Sequence, residues 1–279
     1  MAETQIETGP FQSKDGTSLF YRFIPNESAE TTLLFVHGYG EHCGRYESAM
    51  RRYHDGGYNV GSFDYRGHGK AEGRRGHVLS FDEYMEDLDA FIQLMLKRLG
   101  PSKKLYLVGH SHGGLVVLRY VMNQPEGIDG IALSAPFLGF KIKVPTWKAL
   151  LGKGMSKLWP TLSLPSDVPP EHISHDPEII AAYANDPLNH DVATSRWFTE
   201  VVQAQHDVLS QARQINLPIL VMQGTDDLIV EPECAQTIID GVASSDKELI
   251  WYDGLYHELF NELERESVYA DLDAWLNKH

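Results

Sequence analysis

The chain is poor in three things, and each shortage excludes a class of protein. Cysteine is scarce: there are two in 279 residues, Cys43 and Cys234. They lie far apart, which predicts free thiols in a reducing, cytoplasmic compartment rather than a disulfide framework. Apolar residues never continue for the roughly 18 positions that a membrane-crossing helix needs. The opening Met1-Ala2-Glu3-Thr4 also lacks the basic start and apolar run of a secretory leader. Positive charge is short: 24 Lys and Arg stand against 39 Asp and Glu, a net charge of −15. A surface of that sign repels phosphates and argues against a nucleic-acid partner. Histidine is plentiful, with 13 copies, but they are scattered and show no zinc spacing.

What is present is an alternation of short apolar runs and amphipathic segments. The runs are 32–37 (TLLFVH), 58–64, 104–109, 128–134, 217–224 and 247–252. Runs this short, bounded by Gly, Pro or polar residues, predict strands buried on both faces. Residues 81–99 place Tyr84, Leu88, Phe91, Ile92, Met95 and Leu99 along one helical stripe. Ser80 and Glu83 predict a capping box at its start, and Gly100-Pro101 a stop at its end. Alternating strand and helix predict an α/β fold with a mainly parallel, doubly wound sheet. Residues 5–23 read as an antiparallel edge hairpin. The alternation breaks at 137–205, which carries seven prolines: 145, 160, 165, 169, 170, 177 and 187. That stretch is too long for a crossover and predicts a cap inserted into a core made of 1–136 and 206–279.

The strongest chemical signal is Gly109-His110-Ser111-His112-Gly113, which follows one apolar run and opens an apolar helix, Leu115-Val116-Val117-Leu118. In that setting Gly-x-Ser-x-Gly is the nucleophile elbow of the α/β-hydrolase fold. A tight turn exposes the serine, so its neighbours two positions away must be small. The helix behind it points amides toward developing negative charge. A serine hydroxyl needs a base, and the base an orienting carboxylate. Downstream, Gly224-Thr225-Asp226-Asp227 ends one strand and His257 follows the last. Both aspartates compete for the acid; Asp227, three residues after the strand-end glycine, is favoured by spacing, and Asp226 is left to cap the helix starting near Pro232. The oxyanion of acyl transfer needs two backbone amides. One belongs to His112, after the nucleophile; the other to Tyr39, in the His37-Gly38-Tyr39-Gly40 loop after an early strand. His110 and His112 flank the serine, but the turn aims them apart and no third metal ligand is evident. Asp64 and Arg66-Gly67-His68-Gly69 predict a structural salt bridge or turn, and Cys43 a small buried thiol.

With these motifs in place the chain resembles the monoacylglycerol lipase and lysophospholipase group of α/β-hydrolases. The stretch from His37 through Arg45-Tyr46 carries most of the resemblance. Asp64-Tyr65-Arg66-Gly67-His68-Gly69, the elbow, and Gly224-Thr225-Asp226-Asp227 with His257 carry the rest. The resemblance implies Ser111 as nucleophile, Asp227 as acid, His257 as base, and the Tyr39 and His112 amides as oxyanion donors. It places Glu41 and Arg45 at the polar, glycerol-binding end of the pocket. Two positions depart from the group: it usually has Met where His112 stands, and a smaller residue where Tyr39 stands. The expected substrate is a small-molecule ester of one acyl chain, with no cofactor and no metal. Lysophospholipase, thioesterase and carbon–carbon bond hydrolase are rivals on the same triad. A non-catalytic binding protein is disfavoured by the intact Ser, Asp and His. Between Phe137 and Pro165 there are five lysines (141, 143, 148, 153 and 157), no acid, and interleaved apolar residues including Trp147 and Trp159. That composition suits peripheral contact with lipid, or a plain cover with solvated lysines.

Overall fold

Each short apolar run forms a strand because a doubly covered sheet buries both of its faces. The computed structural model describes residues 5–100, 103–141, 154–166 and 168–279. The hairpin is β1 (Glu7–Gln12) and β2 (Ser18–Ile24), followed by β3 (Thr31–Val36), β4 (Asn59–Asp64), β5 (Lys104–His110) and β6 (Gly130–Ser134). Two short strands, β7 (Ser163–Pro165) and β8 (Val192–Thr194), form a separate antiparallel ribbon. The sheet is completed by β9 (Ile219–Gly224) and β10 (Lys247–Tyr252). Its order is β1-β2-β4-β3-β5-β6-β9-β10, antiparallel only where β2 meets β1 and β4. This is the α/β-hydrolase architecture that the sequence predicts.

Helices cover both faces. They are α1 (Glu47–Asp55), α2 (Asp82–Leu99), α3 (His112–Val121), α4 (Pro177–Asn185), α5 (Ser195–Gln211), α6 (Glu233–Gly241) and α7 (Arg265–Leu276). One apolar core gathers Leu88 and Phe91 of α2, Leu115 and Leu118 of α3, and Val201 and Val208 of α5. The opposite core gathers Met50 and Tyr53 of α1 with Leu272 and Trp275 of α7. Order reverses beside β3: β4 lies on one side and β5 on the other, both parallel to it. The loops after β3 and β5 therefore diverge over a crevice at the carboxyl ends of the strands, where ligands bind in such sheets.

The start of α2 differs from the expected capping box. The helix begins at Asp82, and Phe81 occupies the cap position with helical dihedrals. Ser80 Oγ accepts from Asp82 N at 3.3 Å, while Glu83 reaches back to Leu79 N at 2.9 Å. Phe81 is buried in the core, and seating its ring draws residue 81 into the helix, so the box is displaced. Asp226 does not cap α6: Pro232 stands at that cap without a side-chain bond, and Asp226 is exposed, accepting from Thr225.

Candidate active site

The elbow is strained, and its glycines explain how the strain is tolerated. Ser111 is held at φ 50° and ψ −118°, a conformation that L-residues rarely adopt. A Cβ on Gly109 would lie 2.8 Å from Gly114 Cα, and one on Gly113 would strike the Val36 carbonyl. Small residues are required because α3 folds back directly against β5 and β3. The turn presents Ser111 above the sheet with its amide bonded to the Ser134 carbonyl at 3.0 Å.

Three side chains from three loops converge there. Ser111 Oγ lies 2.8 Å from His257 Nε2, and His257 Nδ1 lies 2.7 Å from Asp227 Oδ2. With Nδ1 carrying the proton, Nε2 is free to accept from the serine. The other carboxylate oxygen, Oδ1, accepts from the Ile229 and Val230 amides at 2.8 and 3.0 Å. Gln223 Nε2, not anticipated from sequence, donates to Oδ2 at 3.2 Å. Burial works against charge on both groups. For His257, the Asp227 carboxylate outweighs that penalty and raises the imidazole above its ordinary value; for Asp227, His257 and the backbone amides hold the carboxyl below its own.

The Gly38 amide is spent on Glu41 Oε1, which leaves Tyr39 as the next donor along the loop. His112 opens α3, so its amide belongs to the first turn and has no acceptor within the helix. The flanking imidazoles are separated, as the turn requires. His110 Nδ1 lies 3.1 Å from the Ser134 carbonyl, and His112 Nδ1 3.3 Å from Tyr65 Oη. Burial first, then the neighbouring His257, lowers His110 to about 4; burial, then His37, lowers His112 to about 3. Among the described residues no group of three His, Cys, Asp or Glu is arranged to hold a metal.

Glu41 and Arg45 differ in where they face. Glu41 lines the cavity and also accepts from Tyr46 Oη at 2.8 Å. Arg45 is not among the described lining residues. It sits behind Glu41, bonded to it and, through both terminal nitrogens, to Glu258 at 2.6 and 2.7 Å. Tyr183 of α4 lies against its guanidinium at 4.8 Å. Burial raises the Glu41 carboxyl, but Arg45, His110, His37 and the Gly38 amide hold it at about 2. Glu258 directly follows His257, a neighbour whose pairing no local pattern reveals. Asp64 accepts from the Cys43 and Lys70 amides, and Arg66 pairs with Asp87 at 2.7 Å, so that motif is structural.

Ser111, His257 and Glu41 open onto a cavity of about 770 Å³. Phe137, Phe140, Met155, Leu162, Trp197 and Phe198 make most of its wall apolar, while Glu41, Glu258 and Tyr183 make one end polar. Residues 27–264 match the model of the family described as serine aminopeptidase, S33. This chain belongs to that family of α/β-hydrolases. It is 34% identical to phospholipase YtpA of Bacillus subtilis (strain 168) over 88% of its length and 95% of that protein's. It is 29% identical to a monoacylglycerol lipase of Mycolicibacterium smegmatis, covering 96% of each chain. The crystal structure of the Paleococcus ferrophilus monoacylglycerol lipase superposes with a TM-score of 0.82 at 31% identity, covering 98% of each chain. The chain is a carboxylic-ester hydrolase of the monoacylglycerol lipase group, with a serine nucleophile. Among the described residues no helix is long and apolar enough to cross a membrane.

Proposed function

We propose that the protein hydrolyses the ester of a single acyl chain on a small polar alcohol, with monoacylglycerols as its substrate class. The observation that carries this reading is the Ser111–His257–Asp227 relay at the junction of an apolar cavity and its carboxylate-lined polar end. The relatives named as monoacylglycerol lipases support it. Ser111 Oγ attacks the ester carbonyl while His257 Nε2 takes its proton. The oxyanion is received by the Tyr39 and His112 amides. His257 returns the proton to the departing alkoxide, giving an acyl-serine and the free alcohol. Water then attacks the acyl-serine with His257 as base, releasing the acid and restoring Ser111. Asp227 holds the imidazole tautomer, and the cycle calls for no cofactor. Glu41 supplies a carboxylate at the head-group end, and Arg45 holds Glu41 and Glu258 in place.

A phospholipid reading is favoured by the Bacillus relative's printed name. A panel of monoacylglycerols, lysophospholipids and nitrophenyl esters separates the two. Turnover led by monoacylglycerol supports the proposal; turnover confined to lysophospholipid replaces it. The inserted cap, 137–205, is proposed to touch lipid at its basic, apolar first half. In support, Leu158 is 85% exposed and Trp159 58% exposed. Trp147, Lys143, Lys148 and Lys153 lie outside the described residues. A cytoplasmic location is proposed on the two cysteines, both free thiols.

A further inference from the structure

Tyr39 and His112, the two positions that depart from the group's usual pattern, meet in space. Their rings lie 5.7 Å apart, and both pack on Trp197: Tyr39 at 3.9 Å, His112 at 5.9 Å and 26° between planes. His190 and His68 close the cluster around Tyr39, each 5.3 Å from its ring. Two hydrogen bonds then fasten the loop of residues 39 and 40 to the segment before α5. Tyr39 Oη donates to the Val192 carbonyl, and His190 N donates to the Gly40 carbonyl at 2.8 Å. Gly40, at φ +75°, permits this approach, because a Cβ there would strike the His190 carbonyl. The segment that carries the acceptor is tied at Thr194, whose N donates to Gly76 O at 2.9 Å, and a Cβ on Gly76 would run into the Val192 carbonyl.

We propose that the Tyr39 side chain is a positioning residue for the oxyanion hole, and that the Tyr39–Trp197–His112 pack fixes both of its amides against segment 190–197. The inference rests on the reading that these two amides receive the oxyanion. Amides fixed in advance need no reorganisation when negative charge develops, so they favour the transition state over bound substrate. A smaller residue at 39 would leave that loop without the Val192 bond and without the ring stack. The rings at 39 and 112 pack around one indole.

The test is Tyr39→Phe, which deletes one oxygen and keeps the ring. It is read on a soluble short ester and on a trifluoromethyl ketone, whose adduct with Ser111 places an oxyanion in the hole. Losing this part-buried hydrogen bond should lower kcat about five- to tenfold, with KM within about twofold and Tm lowered by no more than a few degrees. Ketone affinity should fall by the same factor. Tyr39→Ala, which also removes the stack, should lose more. Wild-type kcat and ketone affinity in Tyr39→Phe would overturn the inference, as would a loss seen in KM alone, which would make the ring a pocket wall. Replacing the residue 39 amide by an ester tests the underlying reading separately. If that change abolishes ketone binding while Tyr39→Phe does not, the donor assignment stands and the positioning role falls. If it changes nothing, the donor assignment falls and takes the positioning role with it.

Discussion

On the sheet side of the cavity, Asp227 accepts from two backbone amides, a histidine and a glutamine, and Ser111 sits on a turn whose glycines at 109 and 113 have no room for a Cβ. Across the cavity, in the segment proposed as a cap, Tyr39 and His190 meet ring to ring, and Leu158 and Trp159 stand exposed. The sheet side is held by backbone geometry as well as by side chains. The proposed cap side meets it mainly through ring packing, with a few loop-to-loop hydrogen bonds, so the two sides of the cavity differ in how firmly they are fixed.

The sharpest way to break that contrast is at the nucleophile. Ser111→Ala should lose on the order of 10⁴-fold or more in ester turnover while staying folded. Wild-type turnover by the purified variant would sink the assignment. Next is the acid. Asp227→Asn should cost roughly 10³–10⁴-fold, because the His257 tautomer is no longer fixed. Asp226→Asn should stay within about twofold, since that side chain is exposed and among the described residues bonds only Thr225. A worse defect in Asp226→Asn would move the acid by one residue.

Arg45 tests the seam between the two sides. It lies between Glu41 and Glu258 with a tenth of its side chain exposed. Arg45→Met leaves two buried carboxylates unpaired, at a stability cost of about 3–5 kcal/mol by urea denaturation. A midpoint close to wild type would show that the guanidinium is dispensable to the fold.

The pH profile probes the sheet side more gently. The base must be neutral, and Asp227 raises His257 above its ordinary 6.5 despite burial. Turnover should therefore be full above that raised value and fall about tenfold per pH unit below it. The protonated form is correspondingly stabilising: that contribution is complete below pH 6.5 and disappears as pH rises through the folded value. A rate flat from about pH 5 to 9, with acylation limiting, would contradict a histidine base. The smallest effect is expected on the cap. Lys141, Lys148 and Lys153 changed to Gln should lower turnover of aggregated long-chain ester several-fold and leave a soluble short ester alone, at roughly 1 kcal/mol per lysine near an anionic surface. Lys141 contributes least, because Glu231 already pairs with it at 3.4 Å. Absence of binding to anionic vesicles at low salt would reduce the segment to a pocket cover.

The sequence by itself determined the strands, their alternation with helices, and the candidate nucleophile, acid and base. Each of these rests on local patterns: short apolar runs, a glycine-flanked serine, an aspartate three residues past a strand end. Spacing favours Asp227 over Asp226 as the candidate acid, and in the fold Asp227 is buried beside His257 while Asp226 is exposed. What only tertiary structure decided involves residues far apart in the chain. Arg45 meets Glu258 across 213 positions, and Tyr39 meets Val192 across 153. Gln223 lies only four residues before Asp227, and the turn after β9 brings its amide to the carboxylate. Local sequence carries periodicity and turn chemistry, which are short-range constraints. Contacts between loops depend on where the sheet's order reverses and on which side chains fill the space above it, and no single stretch of sequence records either.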